Sequence, residues 1–169
     1  MIDVLIPTFN RREFLISNVS FLEREIAEYN LENIVKIIVY DNSSDDGSYE
    51  ALAGDEQLRY TNIFRHEKNV GLERNALSAL NVSESEYVMF LGDDDRLPRG
   101  YLKLVVDHLS NNNRIGLVLP GIAARYKSGE DINVKRAGSK QEIIKSGFRS
   151  QLKYGYLTHQ LSGCVFKRN

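Results

Sequence analysis

The chain of 169 residues has a single cysteine, Cys164, so no internal disulfide framework can form, and such usage fits a reducing compartment. A lone cysteine of this kind reads as a small buried apolar residue rather than a nucleophile. Charge of one sign is also lacking: 22 Lys and Arg stand against 23 Asp and Glu, for a net charge of −1. No Lys/Arg stripe stands out, which argues against a nucleic-acid surface and means that an anionic partner must be held locally. No apolar run is long enough to span a bilayer. The N-terminus enters Met1-Ile2-Asp3-Val4-Leu5-Ile6-Pro7 without a basic leader or cleavage site, so the expected location is cytoplasmic. Internal repeats and low-complexity tracts are absent, and no G-x-G-x-x-G follows any strand, which disfavours a dinucleotide dehydrogenase.

What is present is the composition of one globular domain. Hydrophobic residues make up 42% and charged residues 27%, enough for a proper core. Apolar segments alternate with helical patterns. Ile2 to Ile6 reads as a strand stopped by Pro7, and Asn10 with Glu13 resembles a capping box. Phe14, Leu15, Val19, Leu22, Ile26 and Tyr29 follow at helical spacing. Val35 to Tyr40 is a second strand, Ser48 to Ala53 a short helix, and Arg59 to Phe64 a weaker strand. Leu72, Ala76, Leu77 and Leu80 mark another amphipathic helix. Pro98 precedes a helix carrying Leu102, Val105, Val106 and Leu109, and Ile115 to Leu119 is a fifth strand. Residues 126–142 read as a mobile loop and 154–166 as a final strand. Strands separated by helices imply right-handed βαβ units, hence a mostly parallel sheet with helices on both faces.

The most informative segment is Tyr87-Val88-Met89-Phe90-Leu91-Gly92-Asp93-Asp94-Asp95. Its nearly continuous apolar part reads as a strand buried on both faces, ending at the rim of the sheet in consecutive carboxylates. In an extended segment Asp93 and Asp95 would converge while Asp94 faces away. Close carboxylates repel unless a cation or donors neutralise them, and the suitable ion is Mg²⁺ or Mn²⁺ shared with a phosphate. Ligands of open α/β sheets bind beyond the carboxyl ends of the strands. Two further strand ends are polar: Pro7-Thr8-Phe9-Asn10 offers hydroxyl and amide groups, and Asp41-Asn42-Ser43-Ser44 a fixed acceptor suited to an imide N–H or a sugar hydroxyl. Taken singly, Asp41 reads equally as a turn-forming residue, and a charge run as a solvated loop. Three such ends in chain order on one rim are harder to dismiss.

These motifs, together with Asn69-Val70-Gly71, resemble those of inverting glycosyltransferases of family 2, which have the Rossmann-like GT-A fold. The resemblance covers roughly residues 1–120. It implies that a nucleotide-sugar donor, by default a UDP-sugar, meets Pro7, Thr8, Asn10, Asp41, Arg74, Asp93 and Asp94, with a divalent metal at Asp93 and Asp95. Thr8 and Asp41 match nucleoside-holding positions, and Asp94 and Asp95 the acidic motif near ribose and pyrophosphate. The implied reaction transfers the sugar with inversion to a glycan or lipid-linked acceptor, with peripheral membrane association left open. Two departures stand out: many members have aspartate where this chain has Gly92, and Arg74-Asn75 follow Gly71 sooner than the usual Arg-Asn pair. No residue is assigned as the catalytic base. Glu130 and Asp131 fit that role poorly, His66, His108 and His159 read as structural, and the base is expected past Asn169. The expectation is therefore a single donor-binding domain, residues 1–169, lacking its acceptor half. Rival readings are a fragment that binds nucleotide and metal without transfer, a nucleotidyltransferase, which would carry a Gly-rich loop after the first strand, and a phosphoacceptor domain, which would carry an acidic pair there.

Overall fold

The computed structural model describes residues 1–112, 114–125, 131–134 and 161–168. The element order is β1 (Ile2–Thr8), α1 (Arg12–Glu28), β2 (Val35–Asp41), α2 (Ser48–Ala53), β3 (Thr61–Arg65), α3 (Leu72–Val82), β4 (Tyr87–Phe90), α4 (Tyr101–Asn111), β5 (Leu117–Val118), β6 (Ile122–Arg125), β7 (Asp131–Val134) and β8 (Val165–Lys167).

The six-stranded sheet runs β3-β2-β1-β4-β8-β5. The pairs β1–β2, β2–β3 and β1–β4 are parallel, whereas β8 runs antiparallel between β4 and β5. The chain moves outward from β1 through β2 to β3 and then returns to β4 on the other side of β1. The strand order therefore reverses between β1 and β4, and the crevice beyond their carboxyl ends is the switch point where such sheets take ligands.

Strand alternation divides the core. Ile2, Val4 and Ile6 of β1 join Ile37, Val39 and Met89 beneath Leu15, Val19, Leu22 and Ile26 of α1 and Leu102, Val105 and Val106 of α4. On the opposite face Leu5, Ile38 and Val88 pack against Ala79 of α3. Asp3 lies on that face and is buried. It accepts from the hydroxyls of Ser83 and Ser85, both at 2.7 Å, and so fastens the turn from α3 into β4.

Several expectations need correction. β1 is not stopped by Pro7; it continues to Thr8. Main-chain groups of Leu5 point to β4, accepting from Leu91 N–H, so by period two Pro7 also faces that side. The β1–β4 ladder ends at Leu5 and Phe90, so the N–H that proline lacks has no strand to meet. The capping box does not form. Asn10 has a left-handed φ of 53°, Arg11 occupies the cap position without a side-chain bond, and the Arg12 N–H donates instead to Asp46 Oδ2 at 2.9 Å. The apolar face expected of α3 also differs: Leu72 and Leu77 are exposed, and the helix buries Asn75 and Ala79. Small Ala79 permits close approach to the sheet, and Asn75 Nδ2 donates to the carbonyls of Tyr40 at 2.9 Å and Thr8 at 3.3 Å.

Within the expected loop at 126–142, residues 131–134 form β7, paired antiparallel with β6. Residues 126–130, with Glu130, and 135–142 lie outside the described residues, as do His159 and most of the strand expected at 154–166. The described strand there begins only at Val165. Among the described residues, no helix is long and apolar enough to cross a membrane.

Candidate functional site

The acidic segment leaves the sheet as a turn. β4 ends at Phe90, and Asp95 N–H donates to Gly92 O at 3.2 Å, closing Gly92–Asp95. Extended alternation therefore does not govern these side chains. Asp93 turns inward to the switch point, where its Oδ2 accepts from Thr8 Oγ1 at 2.8 Å, while Asp94 and Asp95 are exposed. Asp95 instead accepts a short hydrogen bond from Ser162 Oγ, and the same oxygen accepts from Gly92 N–H at 2.8 Å. One hydroxyl thus joins both ends of the turn. A Cβ on Gly92 would stand 2.8 Å from Asp95 Oδ2 and 3.2 Å from Ser162 Oγ, so this arrangement needs glycine.

Burial raises the pKa of Asp93 above its ordinary value; the Thr8 hydroxyl pulls it down, and the charge of Asp94 pushes it up again. The charge of Arg11 and a hydrogen bond from the Phe9 main chain lower it, but desolvation prevails. A half-buried carboxylate whose charge is incompletely compensated by its neighbours is well suited to a cation.

The other strand ends are polar but already engaged. Asp41, at the end of β2, is fully buried. Its Oδ2 accepts from Ser44 N–H at 3.0 Å and pairs with Arg65 Nε at 3.3 Å, and its Oδ1 takes a short bond from Ser44 Oγ. Arg65 also reaches Glu50 Oε1 at 2.7 Å and the Ser44 carbonyl at 2.6 Å, bracing the loop that follows β2. Asn10 spans the gap to that loop: its N–H donates to Ser44 Oγ at 2.9 Å, and its Oδ1 accepts from Asp45 N–H at 3.0 Å. Pro7 is half-buried in β1, and Arg74 is exposed on the first turn of α3. The structure therefore brings Thr8 and Asp93 into contact and ties Asn10 to the loop after Asp41, but Arg74 has no bond to this group.

Residues that sequence reasoning passed over hold the site together. Asn42 is buried, donates through Nδ2 to Asn69 Oδ1 at 3.0 Å and accepts from Val70 N–H at 2.8 Å, so Asn69-Val70-Gly71 is strapped to the end of β2. Asp46 accepts from Arg12 N–H and also, through Oδ1, from the N–H and Oγ of Ser48 at 2.9 and 2.5 Å, so one carboxylate serves the starts of both α1 and α2. Burial opposes its charge, but these hydrogen bonds prevail and hold its pKa below the ordinary value. Beside the rim, Asn10, Arg11, Arg12, Glu13, Phe14 and Asp46 line an open cleft of ≈ 390 Å³.

An α/β sheet with an acidic turn at its switch point and polar ends on the neighbouring strands is an architecture of the GT-A type. Residues 3–168 match the profile of "Glycosyl transferase family 2", and the chain belongs to that family. It is 28% identical over 119 residues to the abequosyltransferase RfbV of Salmonella typhimurium LT2, covering 69% of this chain and 35% of that protein. It is 31% identical over 122 residues to the poly(ribitol-phosphate) β-N-acetylglucosaminyltransferase TarP of Staphylococcus aureus N315, covering 66% and 34%. The chain thus spans about a third of the length of these curated relatives. Among solved structures, S. aureus TarS 1-349 with UDP-GlcNAc superposes with a TM-score of 0.58 at 20% identity, covering 66% of this chain and 32% of that one. The mannosyltransferase PcManGT from Pyrobaculum calidifontis, in complex with GDP-Man and Mn²⁺, gives 0.56 at 20%, covering 69% and 34%. At this identity the likeness is one of fold.

Proposed function

We propose that this chain is the donor-binding part of a glycosyltransferase that takes a sugar from a metal-bound nucleotide-sugar, a UDP-sugar in the first instance, and delivers it with inversion to a glycan or lipid-linked acceptor. The observation that carries this reading is the acidic turn at the switch point, with Asp93 anchored to Thr8 and the exposed Asp94 and Asp95 facing out beside it. The complexes of structural neighbours with UDP-GlcNAc and with GDP-Man and Mn²⁺ favour a nucleoside diphosphate sugar and a divalent ion.

The donor set fits such an ion in part. Among the described residues, no group of three or more His, Cys, Asp or Glu side chains is placed to hold a metal unaided. An ion here would use one or two carboxylates, Asp95 first and Asp93 second, and complete its shell with diphosphate oxygens and water. When bound, it would offset the charge of the departing diphosphate. The chain's own residues hold the nucleotide. Asp94 receives the ribose hydroxyls, Thr8 orients Asp93, and Asp41 accepts from the base once Ser44 Oγ moves off it. The loop after β2, braced by Arg65 and latched by Asn10, forms the wall of the nucleoside site.

Calorimetric titration of UDP with and without Mn²⁺, repeated on Asp95→Ala, tests the reading. Mn²⁺ should tighten UDP binding about tenfold or more in the unsubstituted chain, and Asp95→Ala should abolish that gain. Metal-independent binding, untouched by the substitution, would remove the proposed role of the turn.

A further inference from the structure

One amide interrupts the apolar face of α1. Asn18 is only 4% exposed and lies at helical spacing from Leu15 and Leu22, both fully buried. An amide in such surroundings is costly unless its donors are satisfied. Its Nδ2 satisfies them on the acidic turn, donating to the main-chain carbonyls of Asp93 and Asp95, each at 2.7 Å. The Gly92 carbonyl lies at the limit of contact, 3.4 Å away. An amide nitrogen carries two N–H groups, so the two short bonds use its full capacity. Carbonyls that would otherwise point in different directions around the turn are gathered on one buried point. The carboxylates of Asp94 and Asp95 are left on the solvent side, and that of Asp93 faces Thr8.

We propose that Asn18 is the positioning residue of the acidic turn. By drawing the carbonyls of Asp93 and Asp95 inward, it fixes the direction in which their carboxylates project, and so sets the affinity for a divalent cation without touching it. The inference rests on the donor-site reading above and adds to it a determinant 75 and 77 residues upstream of the carbonyls it holds. It also accounts for a polar side chain that helix packing alone would not place there.

The test compares the whole chain with Asn18→Leu, which keeps the branched shape and removes both donors, and with Asn18→Ser, which retains one donor and serves where the leucine variant does not fold. Free Mn²⁺ is measured by electron paramagnetic resonance at saturating UDP, with Asp95→Ala as the control for the site. Asn18→Leu should weaken Mn²⁺ binding by about 10-fold or more, in the range for residues that orient a metal ligand, and Asn18→Ser by less. UDP affinity without metal should change by less than about twofold. In metal-free protein, amide exchange at Asp95 should quicken by about tenfold or more while the amides of β1 keep their protection. If Asp95→Ala loses Mn²⁺ but Asn18→Leu binds it as tightly as the unsubstituted chain, the inference falls and the donor-site reading stands. If Asp95→Ala binds Mn²⁺ normally, the donor-site reading fails and takes this inference with it. Unchanged exchange at Asp95 would overturn the positioning role on its own.

Discussion

Replacing Gly92 with alanine probes the acidic turn through a single methyl group. The added Cβ would lie 2.8 Å from Asp95 Oδ2, closer than such contacts allow, and 3.2 Å from Ser162 Oγ. Gly92 is not among the glycines of positive φ, so the backbone itself accepts alanine. The Asp95 carboxylate is the far end of a flexible side chain and can rotate away, but it then loses the hydroxyl of Ser162. A charge-assisted bond of this kind is worth about 1.5–3 kcal/mol at most, and the exposure of Asp95 reduces that to about 1–2 kcal/mol. Glycine to alanine at a compatible position returns about 0.4–1 kcal/mol through the unfolded chain. The net expectation is a loss of roughly 0–1.6 kcal/mol, lowering the melting temperature by up to about 6 °C for a chain of this size. The sign should reverse in a Ser162→Ala background. There the bond is already gone, Asp95 moves freely, and only the unfolded-state gain remains. Urea unfolding of the four proteins in the cycle measures the coupling, expected near 1–2 kcal/mol. Additive effects would show that the methyl group and the Ser162–Asp95 bond do not compete, and would refute the reasoning.

Two other carboxylates give predictions of opposite sign. The Asp93 pKa is raised above 3.8 by burial, so its ionised form opposes folding, and stability should climb as pH falls from the raised folded value to about 3.8. Asp93→Asn keeps an oxygen acceptor for Thr8 and should be more stable than the parent at neutral pH, the difference vanishing below about pH 3.8 in thermal melts; equal stability at pH 7 would refute the assignment. Asp46 is held below 3.8 by its hydrogen bonds, so its contribution is complete above 3.8 and lost as pH falls through its lower folded value. Asp46→Ala should cost about 1 kcal/mol at neutral pH through the starts of α1 and α2, an effect absent from Glu13→Ala if that residue caps nothing.

The strands and helices were legible where apolar periodicity was strong. Val4, Ile6, Ile37, Val39 and Met89 occupy the core that their spacing indicated, and the acidic segment begins where a buried strand runs out. The resemblance to the family, carried by the strand-end motifs, also survives comparison. What was not legible involves partners distant in the chain. Asn10 and Glu13 imitate a local cap, yet the cap comes from Asp46, 34 residues beyond Arg12. Leu72 and Leu77 imitate a buried stripe, yet Asn75 and Ala79 face the sheet, because main-chain carbonyls at the ends of β1 and β2 need an amide donor more than they need bulk. Asn18 did leave a trace, as a polar residue three positions after Leu15 and four before Leu22. Ser162 left none, since a serine in a turn has no pattern that names an aspartate 67 residues away.

These long connections bear on how the turn can work. Its carboxylates carry like charge within consecutive residues, and repulsion alone would spread them into solvent. Three contacts from separate parts of the chain oppose that: Thr8 from β1 on Asp93, Asn18 from α1 on the carbonyls, and Ser162 before β8 on Asp95. Two of these are hydroxyls bonded to the carboxylates, and the third is an amide bonded only to the main chain. A cation arriving with a diphosphate competes with the hydroxyls for carboxylate lone pairs, but it has no reason to displace the amide. Thr8 and Ser162 can therefore be surrendered on binding while Asn18 stays. Substituting Ser162 with alanine should then leave Mn²⁺ affinity equal or slightly tighter, whereas removing the Asn18 donors weakens it, and that difference separates an exchangeable partner from a fixed support.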